Sequence, residues 1–264
     1  MEVTELFKDA LTYPTKDWTK LLILGVFFLI MGIFSVLASF GVSIQHNIGA
    51  VVFIAISALL TLIVTIFVRG YCLSITRETI NLREDIPEFE WGKNFIDGLK
   101  LVVLEIVYYI IPIIITILLI FLTGAFTKML EISNYIIATG ATTIPQELLI
   151  DIVGSLSLVI IIGGIFYIIF SLLYNIAQAK LAETDSLGEA CNMIEVFYKI
   201  GEIGWANYII WLIVLFVISF VIGFVMGIIQ LIPIIGMIIA FLLISPFLQM
   251  FSSRALGLLY NESK

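Results

Sequence analysis

Residues 69–100, RGYCLSITRETINLREDIPEFEWGKNFIDGLK, decide the fold. This is the longest strongly charged run between hydrophobic blocks, and it holds five of the thirteen Lys and Arg residues. On each side lies an apolar segment of about twenty residues or more. At about 1.5 Å per helical residue, each can cross a hydrocarbon core about 30 Å thick. The stretch therefore reads as a connector between membrane spans.

Composition agrees. Mean hydropathy is +1.18, and 61% of residues are apolar against 12% charged, where soluble domains carry about 25% charge. A net charge of −7 with no cluster of bases excludes nucleic acid as a partner, because a phosphate-binding surface needs grouped Lys and Arg. Cys72 and Cys191 are too few and too far apart for a disulfide framework or a zinc site. The N-terminus opens with acids and offers no cleavable leader pattern, so the first apolar block reads as a retained span.

Working outward, Val3, Leu6, Phe7, Ala10 and Leu11 make one apolar helical stripe, which predicts a short helix lying on the membrane surface and ended by Pro14. A turn at Gln45, His46 and Asn47 separates the first two spans. Trp91, Phe95 and Leu99 predict a second surface helix ahead of the third span, in which Pro112 predicts a kink. An interfacial helix is expected within 126–137. Ser186 with Glu189 has capping-box spacing and opens a third surface helix with a stripe through Ala190, Met193, Ile194, Phe197 and Ile200. The pairs Gly223/Gly227, Ser35/Ser39 and Gly236/Ala240 predict close helix packing within the chain. The expected architecture is an all-α polytopic membrane helix bundle, one integral membrane domain over 1–264. It has six transmembrane helices as three hairpins, each preceded by a short amphipathic interfacial helix on the cytoplasmic side. The spans fall at about 21–40, 48–68, 101–122, 148–176, 206–229 and 234–254. With both termini cytoplasmic, twelve of the thirteen bases lie inside and only Lys128 outside, a strong positive-inside signal for a cytoplasmic-membrane protein.

Several short runs carry a resemblance. Tyr13-Pro14 with Trp18, Arg69-Gly70-Tyr71, Ile86-Pro87-Glu88-Phe89, Gly98-Leu99-Lys100, the segment 181–190, and Pro233, Gly236 and Gly257 resemble the family known as domain of unknown function 4013. The resemblance implies a prokaryotic, including archaeal, six-span membrane protein. It implies no activity and no functional residue.

Candidate chemistry is sparse. His46 is the sole histidine, which leaves no catalytic dyad and no His-based metal site, and no HExxH, Walker or GxSxG motif is present. No catalytic, cofactor-binding or metal-binding residue is assigned, and no cofactor is expected. Ionisable residues inside a membrane are functional candidates by default. Depth matching groups Arg69, Glu105, Asn175, Gln178, Gln249 and Arg254 into a candidate polar layer at the inner face. The expected partners are membrane lipids, with a second copy or another membrane protein as further candidates. The favoured function is a non-enzymatic lipid-interacting or membrane-organising component. A small-molecule or lipid transporter or channel comes second and an intramembrane enzyme third.

Overall fold

The computed structural model describes residues 3–43, 48–140 and 143–262. The turn expected at Gln45, His46 and Asn47 lies outside the described residues. The elements, in order, are α1 (Val3–Thr12), a 3-10 turn (Tyr13–Lys16), α2 (Trp18–Ser43), α3 (Ile48–Ile80), α4 (Trp91–Leu122), α5 (Ala125–Thr139), α6 (Gln146–Thr184), α7 (Leu187–Ala190), α8 (Met193–Ile203), α9 (Trp205–Ile229), α10 (Ile235–Ile239), a π-helical turn (Ala240–Ile244) and α11 (Ser245–Asn261). There is no strand among the described residues. Six helices are long and apolar enough to cross a membrane: α2, α3, α4, α6, α9 and the run Ile235–Asn261. The chain is an all-helical membrane protein.

The described residues form two compact units, Met1–Val103 with Ile176–Lys264, and Leu104–Asn175. In the first, an aromatic and aliphatic core gathers Tyr13, Leu24, Tyr71, Ile75, Ile86 and Met250, so α2, α3, α11 and the 81–90 connector meet there. α3 crosses α4 at two glycines. A Cβ on Gly70 would stand 1.7 Å from the carbonyl oxygen of Asn94, and one on Gly98 would stand 1.9 Å from that of Ile66. Only hydrogen at both positions lets the backbones touch. In the second unit, Tyr109 packs on Tyr167 and Tyr174 at 4.9 and 5.4 Å between ring centres, and Lys128 pairs with Asp151 at 3.2 Å.

Several helix limits differ from expectation, each for a local reason. α3 continues twelve residues past Val68, because Tyr71 and Ile75 still face the core. The surface helix expected at 91–100 is not separate; it is the first three turns of α4. Its inner face is Asn94, Asp97, Gly98 and Leu101, at i, i+3, i+4 and i+7, while Trp91, Ile96 and Leu99 are exposed. The third surface helix is two pieces: Ser186 caps α7 by accepting from the Glu189 amide, and Asn192 caps α8 by accepting from the Glu195 amide. The α1 stripe turns to protein, not outward: Leu6, Phe7 and Ala10 are buried, with Phe7 between Trp211 and Phe251. Gly223 and Gly227 make no close packing, since a Cβ on either meets no atom within 4 Å.

Two prolines shape the last span. Pro246 has no N–H and its ring would strike the Leu242 carbonyl four residues back, so the helix widens to a π-turn just before it, where the Ser245 hydroxyl donates to the Ala240 carbonyl at 3.0 Å. The Leu242 carbonyl comes against α2, where a Cβ on Gly25 would lie 2.0 Å from its oxygen. After Pro233, Ile234 adopts φ 63°, ψ −60°, and the Ile235 amide donates to the Pro233 carbonyl at 2.7 Å. That is a γ-turn in its rare, strained form, on a β-branched residue, and it costs about 1–3 kcal/mol.

Gly98→Ala is expected to overpack the α3–α4 crossing by about 1–3 kcal/mol and to lower the Tm of the detergent-solubilised protein by about 3–10 °C. Gly92→Ala, on the same helix with open space around it, leaves Tm unchanged within about a degree. Equal melting of the two variants would contradict the crossing.

Candidate functional site

The six residues of the candidate polar layer are divided between the two units. Glu105 and Asn175 belong to the second unit, both half-buried, on the helices that carry the packed Tyr108, Tyr109, Tyr167 and Tyr174. Arg69, Gln178, Gln249 and Arg254 belong to the first. There Arg69 and Gln178 are half-buried and Gln249 is exposed. Arg254, only 5% exposed, sends Nε to Asp9 at 2.8 Å and Nη1 to the Arg83 carbonyl at 2.8 Å and to the Thr79 hydroxyl at 3.3 Å, and lies 4.8 Å from the centre of the Tyr13 ring. Paired and hydrogen-bonded in this way, a buried guanidinium has its desolvation cost largely offset. It ties α1, α3 and the connector to α11.

A second ionic cluster escaped the sequence reading. Arg77 Nη1 meets Asp97 at 2.7 Å, Nη2 meets Asp185 at 3.1 Å, and Nε donates to the Ala182 carbonyl at 3.2 Å. Lys100 reaches the same Asp185 at 2.7 Å. The Asp97 side chain is 2% exposed. One guanidinium thus binds α3, α4 and the end of α6. The local clue is the Asp97/Lys100 spacing of i, i+3 on the face that also carries Asn94. Nothing local announces Asp185, which sits at φ 56° just past α6. Its carboxyl is held below the ordinary value by the Lys100 hydrogen bond first, then by the charges of Lys100 and Arg77. Around these clusters the connector is pinned by its own carbonyls: Tyr13 donates to Asp85, Tyr71 to Pro87 and Lys20 to Ile86. Together these bonds hold the helix ends and the connector at fixed positions.

One concave feature of the first unit, among the described residues, is a groove of about 410 Å³ between α2 and α3, lined by Phe34, Ser35, Ile54, Ser57, Ala58, Thr61, Leu62 and Thr65. Ser57, Thr61 and Thr65 repeat at i, i+4 and i+8 along α3. Thr61 donates to the Ser57 carbonyl and Thr65 to the Thr61 carbonyl, each at 2.8 Å. These hydroxyl protons are turned back onto the helix, so the wall that remains is chiefly apolar. Ser57 is buried behind it, whereas Ala58 and Leu62 are exposed at the rim, which leaves the groove open on one side. Thr65, 3.3 Å from the Met31 sulfur, forms one end. No lining residue titrates, so the groove suits a hydrocarbon occupant and carries no acid–base pair.

The family described as a protein of unknown function, DUF4013, matches residues 53–231. That is about two thirds of the chain. The chain belongs to this family. Of the runs that carried the resemblance, those from Arg69 to Lys100 and over 181–190 fall inside the match; Tyr13, Pro14, Trp18, Pro233, Gly236 and Gly257 fall outside it. No curated protein and no solved structure matches the chain.

Removing Arg77 while leaving Asp97 buried is expected to cost about 3 kcal/mol or more. Arg77→Met should therefore lower Tm sharply, and Arg77→Met with Asp97→Leu should recover most of the loss; a double variant no more stable than the single one contradicts the pairing. Because the Asp185 carboxyl is depressed when folded, its stabilisation is present above the ordinary carboxylate value of 3.8 and is lost as pH falls through the depressed value. Asp185→Asn should flatten that acid limb of a Tm-against-pH curve and leave its neutral limb parallel to the wild type.

Proposed function

We propose that this protein is a non-enzymatic, lipid-interacting component of the cytoplasmic membrane that seats one hydrocarbon chain of a membrane lipid in the α2–α3 groove. The observation that carries this reading is the groove itself, an apolar, open-sided concavity between two helices of membrane-crossing length. In a bilayer its open side faces acyl chains. An acyl chain gains no hydrophobic free energy on leaving other acyl chains for a protein groove, so shape and dispersion contacts decide occupancy. The expected association is selective and modest in strength, as suits a component that organises or hands over lipid.

The distribution of bases along the sequence supports the same reading. Three pairs of helices with both termini in the cytoplasm put twelve of thirteen bases on the inner side. α8 then lies near inner-leaflet headgroups: it turns Val196, Ile200 and Ile203 to protein and leaves Ile194, Phe197 and Tyr198 for the lipid interface. Lys199 and Lys180 of this region are paired with Glu202 and Glu195, so recognition by bare positive charge is not part of the proposal.

Native mass spectrometry of the protein released from a mild detergent tests the reading. The wild type is expected to carry bound lipid, Ala58→Trp to lose most of it at unchanged Tm, and Ala55→Trp, on the exposed side of α3, to retain it. Equal lipid occupancy in all three, or none in the wild type, contradicts it.

A further inference from the structure

We propose that the turn between α9 and α10, residues 230–235, ends inside the hydrocarbon of the far leaflet, so that this helix pair enters and leaves by one face without surfacing at the other. Three independent observations meet at this turn.

The first is chemical. From residue 203 to residue 253 no Asp, Glu, Lys, Arg or His occurs, and the turn itself reads Gln230-Leu231-Ile232-Pro233-Ile234-Ile235. Leu231, Ile232, Ile234 and Ile235 are 79, 52, 70 and 60% exposed, so the described residues of this unit leave them largely uncovered. They continue a lipid-facing surface, for the most apolar stretch of α9 has no buried residue.

The second is geometric. Phe7 touches both Trp211 of α9 and Phe251 of α11, so these two residues mark one level, set by α1 with its exposed Glu5 and Lys8. Eighteen residues separate Trp211 from the end of α9, and sixteen separate Ile235 from Phe251. At about 1.5 Å per residue these arms reach about 27 and 24 Å. A hydrocarbon core is about 30 Å thick, and tilt shortens the reach further.

The third is the backbone. In hydrocarbon every peptide N–H must find a partner within the protein. Here six of the eight N–H groups of residues 230–238 donate to carbonyls of the turn or its flanks: Gln230 to Met226, Leu231 to Ile228, Ile232 to Ile229, Ile235 to Pro233, Gly236 to Ile232 and Ile238 to Ile234; those of Ile234 and Met237 do not, and Pro233 has no N–H to satisfy. The strained Ile234 is part of this closure, since its γ-turn gives the Ile235 amide its acceptor. Gly236, where a Cβ would stand 2.0 Å from the Ile229 carbonyl oxygen, lets the two arms close without a longer and more polar loop.

The test places single cysteines in a background with Cys72 and Cys191 replaced by alanine. The protein is reconstituted in phosphatidylcholine–phosphatidylglycerol vesicles and freeze–thawed with reagent so that both faces are exposed. A charged, membrane-impermeant maleimide is expected to label Arg83→Cys, on the exposed connector, at least tenfold faster than Ile232→Cys or Leu231→Cys. Bimane attached at 232 or 231 before reconstitution should be quenched at least threefold more by lipids with a nitroxide on the acyl chain than by aqueous iodide. Labelling within twofold of Arg83→Cys from either face overturns the proposal. So does protection from maleimide without quenching by nitroxide lipid, which would put a protein partner over the turn. Both turn variants must melt within a few degrees of the cysteine-free parent, and agreement between two adjacent positions separates depth from a local folding defect. Loss of the lipid in the groove would leave these readings unchanged, so the two proposals fail separately.

Discussion

Two missing side chains, at Gly70 and Gly98, let α3 and α4 meet backbone to backbone, and the rest of the first unit is arranged around that meeting. Once the helices touch, one face of α3 is set against one face of α4 with little freedom. The Ser74 hydroxyl then donates to Asn94, and one turn further Arg77 reaches Asp97, with Lys100 beside it. The end of α6 is drawn in by the same ions through Asp185 and the Ala182 carbonyl. A methyl group at either glycine would push the helices apart by more than the tolerance of these hydrogen bonds, which weaken steeply with distance and angle.

Such a device is needed because the usual force is missing. Between helices in lipid there is no hydrophobic drive, as acyl chains are as apolar as leucine. The spans accordingly bury few of their own residues, whereas the connector, α1, α8 and the feet of α3, α4 and α11 bury whole aromatic side chains: Tyr13, Tyr71, Trp211 and Tyr260 are almost fully enclosed. Position along the spans is inherited from this end. The stacking of Tyr71 on Phe89 at 3.9 Å and the Arg254 clasp on Asp9 belong to the same solution, ordering chain ends and connectors where water still rewards burial.

This division explains which features could be read from residues alone. The spans were legible because about twenty apolar residues have few other uses, and the capping role of Ser186 because its partner lies three residues away. At α4 periodicity found the outward stripe through Trp91 and Leu99 but gave no sign that the segment is continuous with the span or that its buried face is polar and glycine-bearing. It misled at α1, where the stripe was real but its partner was protein. Arg254 with Asp9, and Arg77 with Asp185, join residues 245 and 108 positions apart and leave no local trace. The groove is invisible for another reason: Ser57, Thr61 and Thr65 at helical spacing are equally compatible with a packed seam, and only the distance between α2 and α3 leaves a space.

The same division bears on what family membership says about activity. The runs that carried the resemblance land on the scaffold: Gly70 and Gly98 at the crossing, Tyr71 on the Pro87 carbonyl, Lys100 on Asp185, Gly257 against Thr79, and Tyr13 under Arg254. None of them lines the groove. Those of these residues that lie inside the family match, from Gly70 to Lys100, therefore speak to how the helix ends are held together, and membership by itself points to no activity. The α2–α3 wall is separate from this set, so a change from Ala58 or Ser57 to a larger side chain fills the groove without touching a hydrogen bond that joins the helix ends.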